Sequence, residues 1–245
     1  FNHNYIVDGK AFSEEPIDVY ANYLSHEMTF ITMPKNNIKN INQVFINCDI
    51  EVERFISCTF ASAIQLLNNN ELQFGVILID MGFEKTSLGI FKNLALINSI
   101  TLPIGVNHII KDVSKVCLLN LEEAKNIIKK IDFSFQDNNR VFDKNELLIN
   151  TYFNQTNFRK ISKTLLLNVI QDRLNEIFEL LRKQMILSGF DPKFGNNIYI
   201  TGGGSRLINL LKYCSKIFNS DVKKIKSIQN VKELSPQEDN FVACF

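Results

Sequence analysis

The sequence predicts an α/β fold, and three segments carry that prediction. Residues 75–82 form an apolar, β-prone run, and two more extended segments follow across short turns, a pattern typical of an antiparallel meander. Residues 198–204 form a second apolar run that ends in three glycines, with apolar residues at helical spacing behind it. Residues 163–187 place apolar side chains three and four apart, which predicts a long helix with one buried face.

The glycine run consists of Gly202, Gly203 and Gly204 and separates the strand at residues 198–201 from a helix predicted to begin at Leu207. Glycine lacks Cβ, so its backbone can adopt positive φ and lie close to a ligand. The N-terminus of a helix offers unpaired N–H groups and the positive end of its dipole. The pattern predicts a niche for a nucleotide, and a tight strand-to-helix turn without a ligand is the equally open alternative.

Asp80 stands at the end of the first apolar run and is followed by Met81 and Gly82. Folds that bind phosphate and metal ions place a carboxylate at such a strand end. A turn carboxylate without a ligand is the favoured alternative for Asp80 taken alone. The order of the two strand ends along the chain is more informative than either strand end alone.

Taken in order, these motifs resemble the second domain of the actin-like ATPase superfamily and, within it, the family of the bacterial cell-division protein FtsA. The resemblance runs over nearly all 245 residues. Besides the two strand ends, it rests on the segments 5–9 (YIVDG), 27–32 (EMTFIT), 60–63 (FASA), 102–113 (LPIGVNHIIKDV) and 169–177 (VIQDRLNEI). It implies an actin-like (ribonuclease-H-like) ATPase domain fold, a mixed sheet flanked by helices, with a small α+β subdomain.

The resemblance also implies a domain organisation. Residues 1–70 would be a remnant of domain 1 with the small subdomain, and residues 71–245 would be domain 2. Within domain 2, residues 71–112 and 197–245 would form the larger lobe and residues 113–196 the smaller lobe. The front of domain 1 and a C-terminal membrane-targeting helix are expected to lie outside the sequence. Periodicity predicts further helices at residues 37–48, 58–68, 106–116 and 121–130.

ATP with Mg²⁺ is the ligand that the resemblance implies. The residues expected to contact it are Gly202, Gly203 and Gly204 on the adenosine side, and Asp80, Gly82 and Thr86 near the phosphates. No catalytic residue and no metal site of the protein's own is predicted.

The phosphate loop departs from the superfamily pattern D-I-G-G-G-T-T-D, because residues 80–87 read D-M-G-F-E-K-T-S. Phe83 and Glu84 replace two glycines, and a carboxylate close to phosphate repels it unless a cation intervenes. The charged pair of the adenosine-contacting A-E-x-x-K motif is absent from residues 124–128. The nucleotide is therefore expected to be a structural ligand if bound at all, with at most weak hydrolysis.

The resemblance implies protein and membrane partners. An acidic C-terminal peptide of the tubulin-like protein FtsZ would dock at a basic region, with Arg159, Lys160, Lys163 and Arg173 as candidates. A basic helix face that only meets solvent is the more common alternative. The implied protomer associates head to tail into filaments, recruits other division proteins, and lies peripherally on the cytoplasmic face of the inner membrane at the division site.

The amino-acid composition disfavours several classes of protein and site. The chain carries 27 basic and 26 acidic residues, so no net field favours nucleic acid. Five cysteines without a C-x-x-C pair and three dispersed histidines predict neither a disulfide framework nor a zinc site. Cys48, Cys58 and Cys117 are predicted to be buried. No apolar run reaches the length of a transmembrane helix, which favours the cytoplasm.

Two alternatives to a division adaptor stay open. An active ATPase or phosphotransferase of the same superfamily would need an intact glycine loop and carboxylates for Mg²⁺. A pilus-assembly adaptor similar to PilM would share the fold and bind a different peptide. The YIVDG segment and the long helix favour the division protein.

Overall fold

The computed structural model describes residues 1–12, 14–132, 161–189 and 197–225. These residues fall into two compact units. The first unit contains residues 1–75, apart from residue 13, and residues 91–98. The second contains residues 76–90 and the described residues from 99 to 225. The domain and lobe boundaries given by the resemblance stay predictions.

The first unit contains an antiparallel sheet of three strands in the order β2-β1-β3. The strands are β1 (Asn2–Val7), β2 (Lys10–Phe12) and β3 (Leu24–Met28). Asp8 and Gly9 join β1 to β2 with φ of 46° and 80°, the positive values of a two-residue hairpin turn. The Asp8 carboxylate also accepts the backbone N–H of Tyr23 at 2.8 Å. The Asp-Gly pair of the YIVDG segment therefore builds the hairpin and fixes a neighbouring loop to it.

Three helices complete the described part of the first unit: α1 (Lys35–Ile46), α2 (Cys58–Leu66) and α3 (Asn69–Phe74). The helix predicted at residues 37–48 is thus confirmed with a shift of two residues, and none of its residues is buried. Helix α3 begins with a reciprocal cap, in which Asn68 and Glu71 each accept the other's backbone N–H. Cys48 and Cys58 are exposed, so their predicted burial is wrong, whereas that of Cys117 is confirmed.

The predicted mixed sheet is confirmed. Five described strands lie in the order β6-β5-β4-β7-β8. Their bounds are β4 (Val76–Met81), β5 (Thr86–Lys92), β6 (Ala95–Leu102), β7 (Asn197–Thr201) and β8 (Val222–Lys224). Strand β7 runs parallel to both β4 and β8. Asn93 and Leu94 join β5 to β6 with φ of 52° and 60°, as in the hairpins that connect antiparallel strands.

Strand β4 is buried on both faces. Its apolar residues are fully buried, and they are Val76, Ile77, Leu78, Ile79 and Met81. A continuous apolar run is what a central strand covered on both sides requires, in contrast to the alternating pattern of a half-exposed strand. The position of β4 between β5 and β7 explains why this run stood out in the sequence.

Four helices are described in the second unit: α4 (Val106–Val116), α5 (Leu121–Lys130), α6 (Lys163–Leu187) and α7 (Leu210–Phe218). The first three have the predicted bounds. The predicted apolar stripe of α6 is fully buried, and it consists of Leu166, Ile170, Leu174, Ile177, Phe178, Leu181 and Met185. Gly189 follows α6 with φ of 78°, the left-handed conformation that commonly ends a helix. Across the described ranges, no helix is both long and apolar enough to span a membrane.

Candidate nucleotide site

The ends of β4 and β7 bring the two sequence motifs together. The strands are parallel neighbours, and Asp80 lies opposite Thr201 in the register. Because parallel strands end at the same edge of a sheet, the turn after Thr201 lies beside Asp80 and Met81. This edge is where open α/β sheets bind ligands. Asp80, Gly202, Gly203 and Gly204 thus form one candidate site.

The three glycines of this turn have different surroundings. Gly202 has φ of 83°, and a Cβ there would overlap the Asp80 carboxylate and lie 2.7 Å from the Met81 carbonyl oxygen. A Cβ on Gly204 would lie 2.5 Å from Cγ of Met81. A Cβ on Gly203 would meet nothing within 4 Å. Two glycines therefore let the turn pack against β4, and the third leaves open space at the surface.

The segment after the glycines differs from the predicted helix. Gly203–Arg206 forms a short 3₁₀ turn, Leu207 is extended, and α7 begins only at Leu210. Asn209 takes the left-handed conformation with φ of 61°, which asparagine tolerates better than most residues. Its side chain donates to the Asp132 carboxylate at 2.6 Å. The prediction that a helix starts at Leu207 is wrong, so the turn beside Asp80 presents glycine backbone and not the end of α7.

Asp80 carries a carboxyl group that is partly withdrawn from water. Burial raises its pKa above the ordinary value of 3.8. Within the described part of the chain, no hydrogen bond or ion pair to this carboxyl group is found. A bound cation or a ligand hydroxyl group would restore interactions that burial removes. The Asp80 carboxyl group is therefore a candidate contact for a bound cation or a ligand hydroxyl group.

The loop from Gly82 to Lys85 joins β4 to β5, and two of its residues replace glycines of the superfamily pattern. The Gly82 N–H donates to the Lys85 carbonyl at 2.9 Å and closes the turn. The N–H groups of Phe83, Glu84 and Lys85 donate to no described residue. Their three side chains are exposed at the surface, Phe83 by 53%. Successive free N–H groups in a turn can bind an anion, and such binding does not require glycine.

Helix α4 anchors this loop. The N–H groups of Val106 and Asn107 donate to the carbonyls of Gly82 and Phe83 at 3.1 and 2.8 Å. A Cβ on Gly105 would lie 2.5 Å from the Phe83 oxygen, so only glycine permits this approach. The first N–H groups of α4 thus donate to carbonyls of the protein itself, and these N–H groups are unavailable to a phosphate.

Asn107 makes a further contact that the sequence did not predict. Its side-chain amide donates to the Glu84 carboxylate at 2.6 Å. The two residues are 23 positions apart, and neither belongs to a motif that pairs them. No signal in the sequence pointed to Asn107.

Thr86 lies at the base of the same loop, where its side chain is fully buried. Its hydroxyl group donates to the Ile104 carbonyl at 2.7 Å. This bond satisfies a buried hydroxyl group and joins the start of β5 to the segment before α4. The expected phosphate contacts of Gly82 and Thr86 stay predictions.

The basic residues expected to meet a partner are only partly described. Arg159 and Lys160 lie outside the described residues, and Lys163 begins α6 without a described side chain. Arg173 donates to Asp112 on α4 at 2.6 Å and to Glu176. The hydrogen bond to Asp112 is the main cause that raises the pKa of Arg173 above its usual value. Arg173 therefore joins α6 to α4.

Sequence comparison identifies the relatives of this chain. The family model described as Cell division protein FtsA matches residues 77–239, more than half of the chain. FtsA of Agrobacterium fabrum is 24% identical over 221 residues, which are 89% of this chain and 49% of that protein. FtsA of Neisseria meningitidis is 26% identical over 221 residues, covering 90% of this chain and 53% of that protein. The chain spans about half the length of the curated relatives it matches.

Solved structures with the same fold include actin-like proteins. The crystal structure of MreB 5 of Spiroplasma citri bound to AMPPNP superimposes with a TM-score of 0.62 at 21% identity, covering 79% of this chain and 60% of that one. The PilM–PilN type IV pilus biogenesis complex gives a TM-score of 0.55 at 13% identity, with 77% of this chain and 47% of that one covered. These similarities show the actin-like fold. Together with the sequence match, they show that this chain belongs to the FtsA family of cell division proteins.

Proposed function

We propose that this chain is part of an actin-like adaptor in bacterial cell division that binds a nucleotide as a structural ligand. The adaptor would tether the FtsZ ring to the inner membrane and recruit other division proteins. One observation carries the nucleotide part of the proposal. The Asp80 carboxylate, to which no described residue donates a hydrogen bond, shares one edge of the sheet with the Gly202–Gly204 turn. Membership of the FtsA family supports the division role and favours it over a pilus adaptor.

The residues that would hold magnesium–ATP lie on two sides of this edge. Gly203, with open space above it, and its neighbours Gly202 and Gly204 would lie beside the adenosine. The free N–H groups of residues 83–85 would face the phosphates, and Asp80 would meet the magnesium ion directly or through water. MreB 5, which shares the fold, was crystallised with AMPPNP. Bound magnesium–ATP would place a cation beside this half-buried carboxylate.

We propose that the nucleotide stabilises the folded protein and is not appreciably turned over. Phosphoryl transfer depends on positive groups that stabilise the charge developing on the phosphate. The loop here carries Glu84 between Phe83 and Lys85, which adds a negative charge at that point. A ligand that binds only the folded state raises the free energy of unfolding by mass action, without any chemical step.

Calorimetric titration with magnesium–ATP tests this proposal. We expect a dissociation constant on the order of micromolar for the longest available form of the protein. Gly203→Glu places a side chain and a negative charge in the open space and should abolish binding. Asn70→Glu adds the same charge at an exposed position in the first turn of α3 and serves as the control. A folded wild-type protein that shows no binding would contradict the nucleotide part of the proposal.

We further propose that the acidic C-terminal peptide of FtsZ docks near the start of α6. Arg159, Lys160 and Lys163 would contact the peptide, and Arg173, which is paired with two carboxylates, would position α6 relative to α4. Fluorescence anisotropy with a labelled FtsZ peptide should show salt-dependent binding. Lys163→Glu should weaken it, whereas Lys92→Glu at the exposed end of β5 should not. Equal affinities for both variants would refute the assignment of Lys163.

Self-association and membrane attachment complete the proposed role. Head-to-tail contacts between protomers are heterologous and therefore lead to open filaments. The complete protein would assemble on the cytoplasmic face of the inner membrane at the division site. Electron microscopy of the complete protein on vesicles of bacterial lipid should show filaments, and a fluorescent fusion should concentrate at mid-cell. A fusion spread evenly through dividing cells would contradict this role.

A further inference from the structure

The contact between Asn107 and Glu84 stands out because it joins the loop at the candidate site to a rigid element. The Asn107 amide donates to the Glu84 carboxylate at 2.6 Å, and the Asn107 backbone N–H donates to the Phe83 carbonyl at 2.8 Å. One residue thus holds two consecutive loop residues. The Glu84 side chain is exposed. Among the residues that the structure describes, the Asn107 amide is its hydrogen-bond partner.

Glu84 presents an electrostatic difficulty for the site. Its carboxylate lies on the same turn as the free N–H groups of residues 83–85. A mobile carboxylate can take hydrogen bonds from such groups or repel a phosphate that approaches them. A carboxylate held at the first turn of α4 is instead stabilised by the amide and by the positive end of the helix dipole. The charge is then held beside the first turn of α4.

We propose that Asn107 is a positioning residue of the nucleotide site, which restrains the Glu84 carboxylate so that the loop keeps its N–H groups available to phosphate. The proposal rests on the nucleotide-binding function proposed above. It explains how a loop that has exchanged two glycines for Phe83 and Glu84 remains compatible with an anionic ligand. The restraint comes from the contact between Asn107 and Glu84, and these two residues are not part of the glycine pattern of the superfamily.

An exchange of donor and acceptor tests this role. Asn107→Asp places two carboxylates opposite each other and breaks the hydrogen bond. The double variant Asn107→Asp with Glu84→Gln restores it in the opposite direction, with the same net charge as the wild type. The control is Asn70→Asp, because Asn70 is the second residue of α3 as Asn107 is the second residue of α4, and it is exposed.

Two readouts are measured on each variant: the affinity for magnesium–ATP and the exchange of the amide protons of residues 83–85 with water by NMR. Asn107→Asp should weaken magnesium–ATP binding about fivefold to tenfold, as expected for a released charge near phosphate. It should also accelerate amide exchange in the loop. The swapped pair should return both quantities to within about twofold of the wild type. The control should change neither.

The two readouts separate this proposal from the function on which it rests. If the wild type binds no nucleotide, the proposed function fails, while accelerated exchange in Asn107→Asp with recovery in the swapped pair still supports the restraint. If Asn107→Asp leaves loop exchange unchanged, the restraint is refuted whether or not nucleotide binds. Changed exchange with unchanged affinity, in a wild type that binds, refutes the role of Asn107 in nucleotide binding. If the swapped pair recovers neither the affinity for magnesium–ATP nor the slow amide exchange, the proposed role of Asn107 is also refuted.

Discussion

The three glycines after β7 give a sharp prediction, because they are adjacent in sequence and differ in surroundings. Each is replaced by alanine, which adds one methyl group and leaves charge unchanged. At Gly202 the methyl group would overlap the Asp80 carboxylate and lie 2.7 Å from the Met81 backbone oxygen. At Gly204 it would press on the buried Met81 side chain, and at Gly203 it would meet nothing.

The expected changes in unfolding free energy follow from these contacts. Gly202 has φ of 83° and ψ of 173°, a region that costs a non-glycine residue about 1–3 kcal/mol. The clash with backbone atoms adds to this cost, so Gly202→Ala should destabilise by about 3 kcal/mol or more. Gly204→Ala should cost about 1–2 kcal/mol, because Met81 is flexible but fully buried. Gly203→Ala should be neutral or stabilise by about 0.5 kcal/mol through the unfolded state.

Urea denaturation followed by circular dichroism measures these differences. The predicted order of stability is Gly203→Ala at or above the wild type, then Gly204→Ala, then Gly202→Ala. Equal slopes against urea would indicate that the native and denatured states are otherwise unchanged. Wild-type stability of Gly202→Ala, or a loss at Gly203→Ala larger than that at Gly204→Ala, would refute the arrangement of this turn.

Three further predictions concern Asp80, Arg173 and Thr86. Because burial raises the pKa of Asp80 above 3.8, its contribution to stability is complete below pH 3.8 and is lost as pH rises through the folded-state pKa. Asp80→Asn should therefore raise stability at pH 7 and weaken magnesium–ATP binding, and lower stability at pH 7 in urea denaturation would contradict this. Arg173→Gln should destabilise by about 1–2 kcal/mol, since it breaks a half-buried pair with Asp112. Arg54→Gln, in an exposed pair, is the control and should change stability by less than about 0.5 kcal/mol; equal losses would contradict a structural role of Arg173. Thr86→Val should cost about 1–2 kcal/mol by leaving the Ile104 carbonyl without its hydroxyl donor, and calorimetric melting that shows no loss would contradict that bond's contribution.

Much of the fold was predictable because its signals are local and periodic. The apolar stripe of α6, from Leu166 to Met185, repeats at helical spacing, and the structure gives α6 the predicted bounds. The continuous apolar run of β4 indicated a strand for a similarly simple reason. These patterns reflect burial against whatever lies opposite, so they require no knowledge of the partner residues.

The details of the site were less predictable because they depend on distant partners. The apolar residues after Gly204 suggested a helix from Leu207, but the left-handed conformation of Asn209 delays α7 to Leu210. The contact of Arg173 with a peptide stays a prediction, and its hydrogen bond to Asp112, 61 residues earlier, had no signal in the sequence. The loss of two glycines predicts a weakened anion cradle, which stays a prediction; the exposure of the Phe83 side chain was not predictable from the loop sequence.

The proposed function depends on the binding of a nucleotide, as a structural ligand, at the edge formed by Asp80 and the glycine turn. The most direct test measures unfolding free energy and phosphate release on the same protein sample with increasing magnesium–ATP. At a ligand concentration of 100 times the dissociation constant, we expect stabilisation of about 2.7 kcal/mol. A non-hydrolysable analogue should give the same stabilisation at the same saturation, and phosphate release should stay at the background rate. Absence of stabilisation, or stabilisation that disappears as ATP is consumed, would contradict the claim.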